Sequence, residues 1–311
     1  MYEPIFAPTP IQQLETDAKG NTFFLKREDM LPFSFGGNKV RIGLEYMRDM
    51  AAKGCDHMVA YGNARSNLCR VLSNLCAGAG IPITILSPAD DDGQRREAYN
   101  EKLCRAFGAQ VVPCLKTGVA ESVDAVLESI RQSGGKPYYI YGDRFGKGNE
   151  AVPTAAYVPV YDEIRSQGEF DVIALACGTG MTLAGLLCGR KLREGSERII
   201  GVSISRDAQN AAGYTLAYAN AWLDKADALS ADDVEIVDDF RRVYGDYGPD
   251  VENTIREMMK NYGVPMDGTY VGKAYAGLRE IALREDWRNK KVLFIHTGGT
   301  PLFFDAADRI L

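Results

Sequence analysis

Lys39 is the residue whose neighbours most favour covalent chemistry. It sits in Phe35-Gly36-Gly37-Asn38-Lys39-Val40-Arg41, where a pair of glycines precedes a lysine at the expected start of a helix. Glycine lets the backbone adopt positive φ and approach a ligand closely. A lysine amine attacks carbonyl carbon to form a Schiff base when burial or cationic surroundings depress its pKa. Alone, the string is better read as a solvated lysine in a helix's first turn. A second string, Ala176-Cys177-Gly178-Thr179-Gly180-Met181-Thr182, follows an apolar run and opens another helix. In that setting backbone N–H groups and the helix dipole hold a phosphate. The string lacks the Gly-Lys-Ser/Thr ending of a P-loop and the full dinucleotide fingerprint.

Three further places carry polar groups at loop positions. Gly62-Asn63-Ala64-Arg65-Ser66-Asn67 lies between an expected strand and helix. Its Ser66 and Asn67 suit either a ligand carboxylate at a helix N-terminus or the ordinary capping role. His296-Thr297-Gly298-Gly299-Thr300 follows an apolar run near the end of the chain. No Gly-x-Ser-x-Gly elbow accompanies His296, which reads as a packed residue at a strand end. Thr297 is the better candidate there, since a hydroxyl at a strand's carboxyl end faces the ligand crevice of an open α/β sheet. Tyr247, in a glycine-rich turn, and Tyr270, before a helix, are the aromatic candidates, though most tyrosines simply pack half-buried.

These loops need elements to hold them. Short apolar runs predict strands at 23–26, 58–61, 83–86, 111–112, 138–141, 172–176, 199–204 and 292–295. Helical spacing of apolar residues predicts helices over 39–53, 66–79, 94–107, 119–132, 155–166, 183–193, 250–262, 273–284 and 302–309. The alternation implies an α/β fold with parallel sheets covered by helices. With 311 residues the chain can fill a sizeable core in two lobes.

Composition narrows the class further. Net charge is −6, with Lys and Arg scattered among acids, as in Arg193-Glu194 and Arg284-Glu285. No basic run offers a surface to nucleic acid or an anionic membrane. No stretch approaches the roughly 20 apolar residues of a membrane span. Residues 1–10 have no apolar run behind a basic start, so no secretory signal is expected. The seven cysteines are odd in number and lack zinc-type close pairs. They read as reduced thiols of a cytoplasmic protein, with no metal site.

The order of these loops resembles the tryptophan-synthase-β-like (fold type II) enzymes that use pyridoxal 5′-phosphate (PLP). Within them the chain is similar to the 1-aminocyclopropane-1-carboxylate deaminase and D-cysteine desulfhydrase family. The similarity is strongest at Pro8-Thr9-Pro10, Lys26-Arg27-Glu28-Asp29, Gly36 to Arg41, Ser66-Asn67, Tyr270 to Ala274 and Phe294 to Gly299. It implies two open, twisted, mostly parallel sheets covered by helices. It also implies a small lobe, 43–150, inserted into a large cofactor-binding lobe formed by 1–42 and 151–311.

The resemblance gives Lys39 the Schiff base to PLP and the proton transfer at Cα. Asn67 would bond the cofactor's 3-hydroxyl, and Gly178, Thr179, Gly180, Met181 and Thr182 would cradle its phosphate. Thr297 would face the pyridine nitrogen, and Ser66, Tyr247 and Tyr270 would line the substrate side. The substrate would be a small amino acid and the assembly a homodimer. Leu68 and Val271 stand where relatives carry polar residues, which implies a less polar pocket. A neutral Thr297 makes the ring a weaker electron sink than a carboxylate would, and this suits β-elimination of a good leaving group to a 2-oxo acid and ammonia. A β-replacement synthase on the same fold and a non-catalytic phosphate-ligand binder are the alternative readings.

Overall fold

The computed structural model describes residues 7–89, 93, 98–224 and 228–311. Among them are ten strands: β1 (Ile11–Thr16), β2 (Thr22–Lys26), β3 (His57–Tyr61), β4 (Ile83–Pro88), β5 (Gln110–Cys114), β6 (Pro137–Tyr139), β7 (Val172–Cys177), β8 (Arg198–Ser203), β9 (Glu235–Val237) and β10 (Lys291–Ile295). They form two sheets. One has the order β1-β2-β10-β7-β8-β9, parallel except for the edge strand β1. The other, β5-β4-β3-β6, is parallel throughout. β7 and β10 occupy the middle of the first sheet, and their continuous apolar runs, VIALAC and KVLFI, are what burial on both faces requires. Helices cover both sheets, so the architecture is α/β with two mainly parallel sheets.

The helices follow their sequence signals closely where these are strong. Helix Asn67–Ala79 buries Leu68, Val71, Leu72 and Leu75, is capped by Ser66 Oγ accepting from Cys69 N at 3.2 Å, and stops at left-handed Gly80. Of the helix expected over 94–107, the stretch Tyr99–Ala106 is observed, and residues 94–97 lie outside the described residues. The single helix expected over 155–166 is two, Ala151–Ala155 and Val158–Arg165, with a proline at the start of the second. That expected over 302–309 is likewise two short helices, Thr300–Phe304 and Ala307–Ile310.

A cluster of buried charges fastens the start of helix Asn38–Ala52. Arg41 Nε donates to Glu28 Oε2 at 2.8 Å and its Nη2 pairs with Glu163 Oε2 at 3.0 Å. Glu28 also accepts from Tyr157 Oη at 2.7 Å and Thr9 Oγ1 at 2.6 Å, while Lys26 pairs with Glu163. Burial would push the Glu28 carboxyl up, but Arg41 and the hydroxyl donors hold it below its ordinary value. The Glu28 carbonyl accepts from Gly37 N at 2.8 Å, so the cluster also grips the turn before Lys39. The Lys26-Arg27-Glu28-Asp29 and Thr9 signals are therefore structural supports for the lysine loop.

Candidate functional site

The loops at the carboxyl ends of β3, β7, β8 and β10, together with the lysine turn, line one cavity of about 380 Å³. Carboxyl ends of parallel strands are where open α/β sheets bind ligands, and small-ligand sites typically measure about 300–1,000 Å³. The lysine turn docks directly on the loop after β10. Asn38 N donates to the Thr297 carbonyl at 3.0 Å. Gly37 and Gly298 have φ of 99° and 100°, and a Cβ on Gly298 would lie 2.6 Å from Gly37 Cα. Only glycine satisfies both the conformation and the approach, which brings Lys39 beside Thr297.

The Lys39 side chain makes no hydrogen bond or ion pair among the described residues. Burial pulls its amine down from the ordinary lysine value to about 8, opposed only in part by the nearby Cys177 thiol. The neutral amine is the nucleophile, so capture of an aldehyde should speed up as pH rises through about 8. Stopped-flow absorbance of apoprotein mixed with PLP across a pH series measures this. A capture rate that does not vary with pH would contradict it.

Gly178 to Thr182 form an anion cradle. Gly180, at φ 89°, caps helix Met181–Leu192, and a Cβ there would meet Thr215 Oγ1 at 2.5 Å. The Met181 and Thr182 amides, in the helix's first turn, donate to no protein group among the described residues. They are donors left for a ligand anion. Thr182 Oγ1 accepts from Asn38 Nδ2 at 2.8 Å, tying the cradle to the lysine turn. Arg206 donates to the Gly178 carbonyl and lines the same cavity.

Ser66, Asn67 and Leu68 also line the cavity. Ser66 is at the same time the helix cap described above. Asn67 Oδ1 accepts from Asn100 Nδ2 at 2.9 Å and from Arg70 Nη2 at 3.4 Å. The carbonyl of its amide is thereby fixed, and its NH₂ is left to donate elsewhere. His296 Nε2 lies 2.9 Å from the Pro265 carbonyl, and Nδ1 accepts from Gly298 N at 3.2 Å, which is a packing role.

Tyr270 lines the cavity, and its hydroxyl bonds that of Tyr244, which lines it too. Asp267, fully buried, accepts from Tyr270 N at 2.8 Å and Thr269 N at 2.9 Å and so fixes the turn carrying Tyr270. Tyr247 lies outside the cavity. It packs over Gly268, and Arg309 stacks on its ring at 4.6 Å. Val271 is fully buried in the core and does not touch the cavity, so of the two apolar replacements only Leu68 affects its polarity. Sequence reasoning missed Tyr244, three residues before Tyr247 in the same turn, because nothing in the spacing shows which ring turns inward. It missed Arg206 as well, which follows β8 without a motif of its own.

Among the described residues the lining includes Lys39, Lys116 and Arg206 but no Asp, Glu or His. The donor set is cationic and amide-rich, and it contains an amine whose pKa burial lowers to about 8. Residues 2–298 match the family described as "Pyridoxal-phosphate dependent enzyme". The chain belongs to that family. PLP is accordingly its cofactor, and the residues present fit it. They supply an unpartnered amine for the aldehyde, helix amides for the phosphate and an amide donor for the phenolic oxygen. Two relatives show the nearer kinship. A D-cysteine desulfhydrase of Klebsiella pneumoniae (strain 342) is 30% identical over 316 residues, 97% of this chain and 94% of the relative. A 1-aminocyclopropane-1-carboxylate deaminase of Methylobacterium sp. (strain 4-46) is 30% identical over 322 residues, 96% of this chain and 94% of its own. The crystal structure of an "ACC deaminase homologue" superposes with a TM-score of 0.85 at 27% identity, covering 99% of this chain and 94% of that one. The enzyme thus belongs with the PLP-dependent lyases and deaminases of fold type II. Among its described residues no helix is long and apolar enough to cross a membrane.

Proposed function

We propose that the enzyme eliminates the β-substituent of a small amino acid, D-cysteine or a similar β-substituted alanine, to release a 2-oxo acid and ammonia. The observation that carries this reading is the Lys39 amine, without a hydrogen-bond or ion-pair partner among the described residues, in a cavity that also holds a neutral Thr297 and to which no described residue contributes a carboxylate. PLP, when bound, supplies the electron sink for the bond broken at Cα. Lys39 binds the cofactor and then takes the Cα proton. The electron pair left behind expels the Cβ substituent, and water completes the release of 2-oxo acid and ammonia. Met181 and Thr182, with Gly178, Thr179 and Gly180, would hold the phosphate. Asn67 would donate to the phenolic oxygen, and Thr297 would serve the ring nitrogen. Ser66 and the helix start behind it receive the substrate carboxylate. Tyr270, with Tyr244, stands over the substrate side. Burial holds the Tyr270 phenol well above its ordinary value, so it acts as a hydrogen-bond donor to the departing group rather than as a base.

The reading extends to the assembly. We take the small lobe as 43–150 and the large lobe as 1–42 with 151–311. We take the protein as a cytoplasmic homodimer; its seven cysteines form no disulfide, in keeping with a reducing compartment.

A screen of D- and L-β-substituted alanines for 2-oxo acid release tests the proposal. Release with ammonia from at least one β-substituted alanine is expected. Formation of a new amino acid on adding a nucleophile, with no ammonia, would instead make the protein a β-replacement synthase.

A further inference from the structure

Arg70 is among the largest fully buried side chains of the described residues, with a relative exposure of 0%. Its guanidinium pairs with no carboxylate among the described residues. Nη1 donates to Ser34 Oγ at 3.2 Å, Nη2 to Asn67 Oδ1 at 3.4 Å, and Nε has no partner. The group lies over the Phe35 ring at 5.7 Å. Buried charges are ordinarily paired, because an ion withdrawn from water without a counter-ion is costly. Lys26 and Arg41 follow that rule, Lys26 meeting Glu163 and Arg41 meeting Glu28. Arg70 departs from it one helical turn from Asn67, and its other contact is in the turn that leads to Lys39.

Asn67 Oδ1 is held from two sides, by Asn100 Nδ2 and by Arg70. A cation behind an amide carbonyl polarises the amide, and its N–H groups become stronger donors on the far side. The unbalanced charge also favours the deprotonated form of any acid that the amide touches. The titratable group facing Arg70 from a neighbouring element is the Cys104 thiol on helix Tyr99–Ala106, and burial pushes it up to about 11, so it supplies no counter-charge near neutrality.

We propose that Arg70 is a positioning residue whose missing counter-ion is the bound cofactor's phenolic oxygen, reached through Asn67. This rests on the reading that Asn67 faces that oxygen. An internal carboxylate would neutralise the charge and remove the effect. Arg70 is therefore dispensable to the fold and specific to the loaded enzyme. That separates it from the Glu28–Arg41 pair, where loss of one partner strands a charge.

The test compares full-length wild type, Arg70→Met, Arg70→Lys and Ser34→Ala, each as apoprotein and after PLP addition. Arg70→Met replaces an unpaired charge with an apolar chain of similar length, so its apoprotein should melt no lower than wild type. Its PLP affinity should fall at least about tenfold, as for loss of a charge-assisted hydrogen bond. The pH midpoint of the bound cofactor's absorbance should rise by about one unit or more, the usual effect of removing a nearby opposite charge. Arg70→Lys keeps the charge and should hold the midpoint close to wild type. Ser34→Ala should leave affinity and midpoint alike. An Arg70→Met apoprotein that melts lower or fails to fold would assign Arg70 to the scaffold and overturn the proposal. So would a normal melt with affinity and midpoint both unchanged. If wild type itself binds no PLP, the cofactor reading of Asn67 fails instead, and that outcome is read directly from the control.

Discussion

Lys39→Ala is expected to abolish turnover while leaving the fold intact. The amine has two roles: it anchors the cofactor and it carries the Cα proton. General acid–base transfer alone is typically worth about 10²–10⁴-fold, so the loss should be at least about 10³-fold. The side chain makes no hydrogen bond among the described residues, and its removal relieves a desolvated amine. The apoprotein should therefore melt within a few degrees of wild type. Steady-state 2-oxo acid release and a thermal melt of the apoprotein measure the two halves. A variant that keeps a tenth of wild-type turnover would place the reactive amine elsewhere.

Tyr270→Phe should cost at least roughly tenfold in turnover, with PLP affinity preserved. The substitution keeps the ring that packs beside the cavity and removes the hydroxyl that bonds Tyr244. Because burial holds the phenol well above its ordinary value, no ionised tyrosine is lost, only a donor. The effect should therefore grow with the basicity of the leaving group. A β-chloro substituent, which departs without help, should show a smaller loss than a thiolate. Turnover within about twofold of wild type for both leaving groups would reduce Tyr270 to packing. Tyr244 would be the residue to test next, since Tyr247 lies outside the cavity.

The parts of the site legible in the sequence share one property: their chemistry is backbone chemistry. Gly36-Gly37 and Gly298-Gly299 mark two turns that must touch, and Gly178 to Gly180 mark a helix start built for an anion. Strings of glycine announce such constraints locally. Lys39 and Thr297 could be named because each adjoins one of those strings. Tyr244 could not be separated from Tyr247, because which ring turns inward depends on how the turn packs over Gly268. Arg70 was hidden for a similar reason. It lies within the periodic helix after Ser66 and reads there as an ordinary solvated residue, and only the packing shows that it has no counter-ion.

The same limit explains the fold. β1, Ile11–Thr16, is half-exposed and antiparallel at the sheet edge, and its sequence IQQLET carries little apolar alternation. Helix Ala208–Leu223 buries Ala211, Thr215 and Ala219, a stripe of small residues without the large apolar side chains that betray a helix face. Three-residue β9 is held by pairing to β8 rather than by its own composition. Where burial rests on large side chains at regular spacing, as in helix Val119–Gln132, sequence and structure agree to the residue.

The measurement closest to the central claim is the site of covalent PLP attachment. Among the described residues, burial pulls the amines of two withdrawn lysines, Lys39 and Lys273, to about 8. They differ in geometry: Lys273 donates to the Ile204 carbonyl at 3.1 Å and does not line the cavity, whereas Lys39 lines it and has no hydrogen-bond or ion-pair partner among the described residues. Purified protein should be incubated with PLP, reduced with borohydride, digested and mapped by mass spectrometry. A single phosphopyridoxyl group on the peptide containing Lys39 is the predicted result, and a label on Lys273, on Lys116 or on no lysine at all would contradict the account.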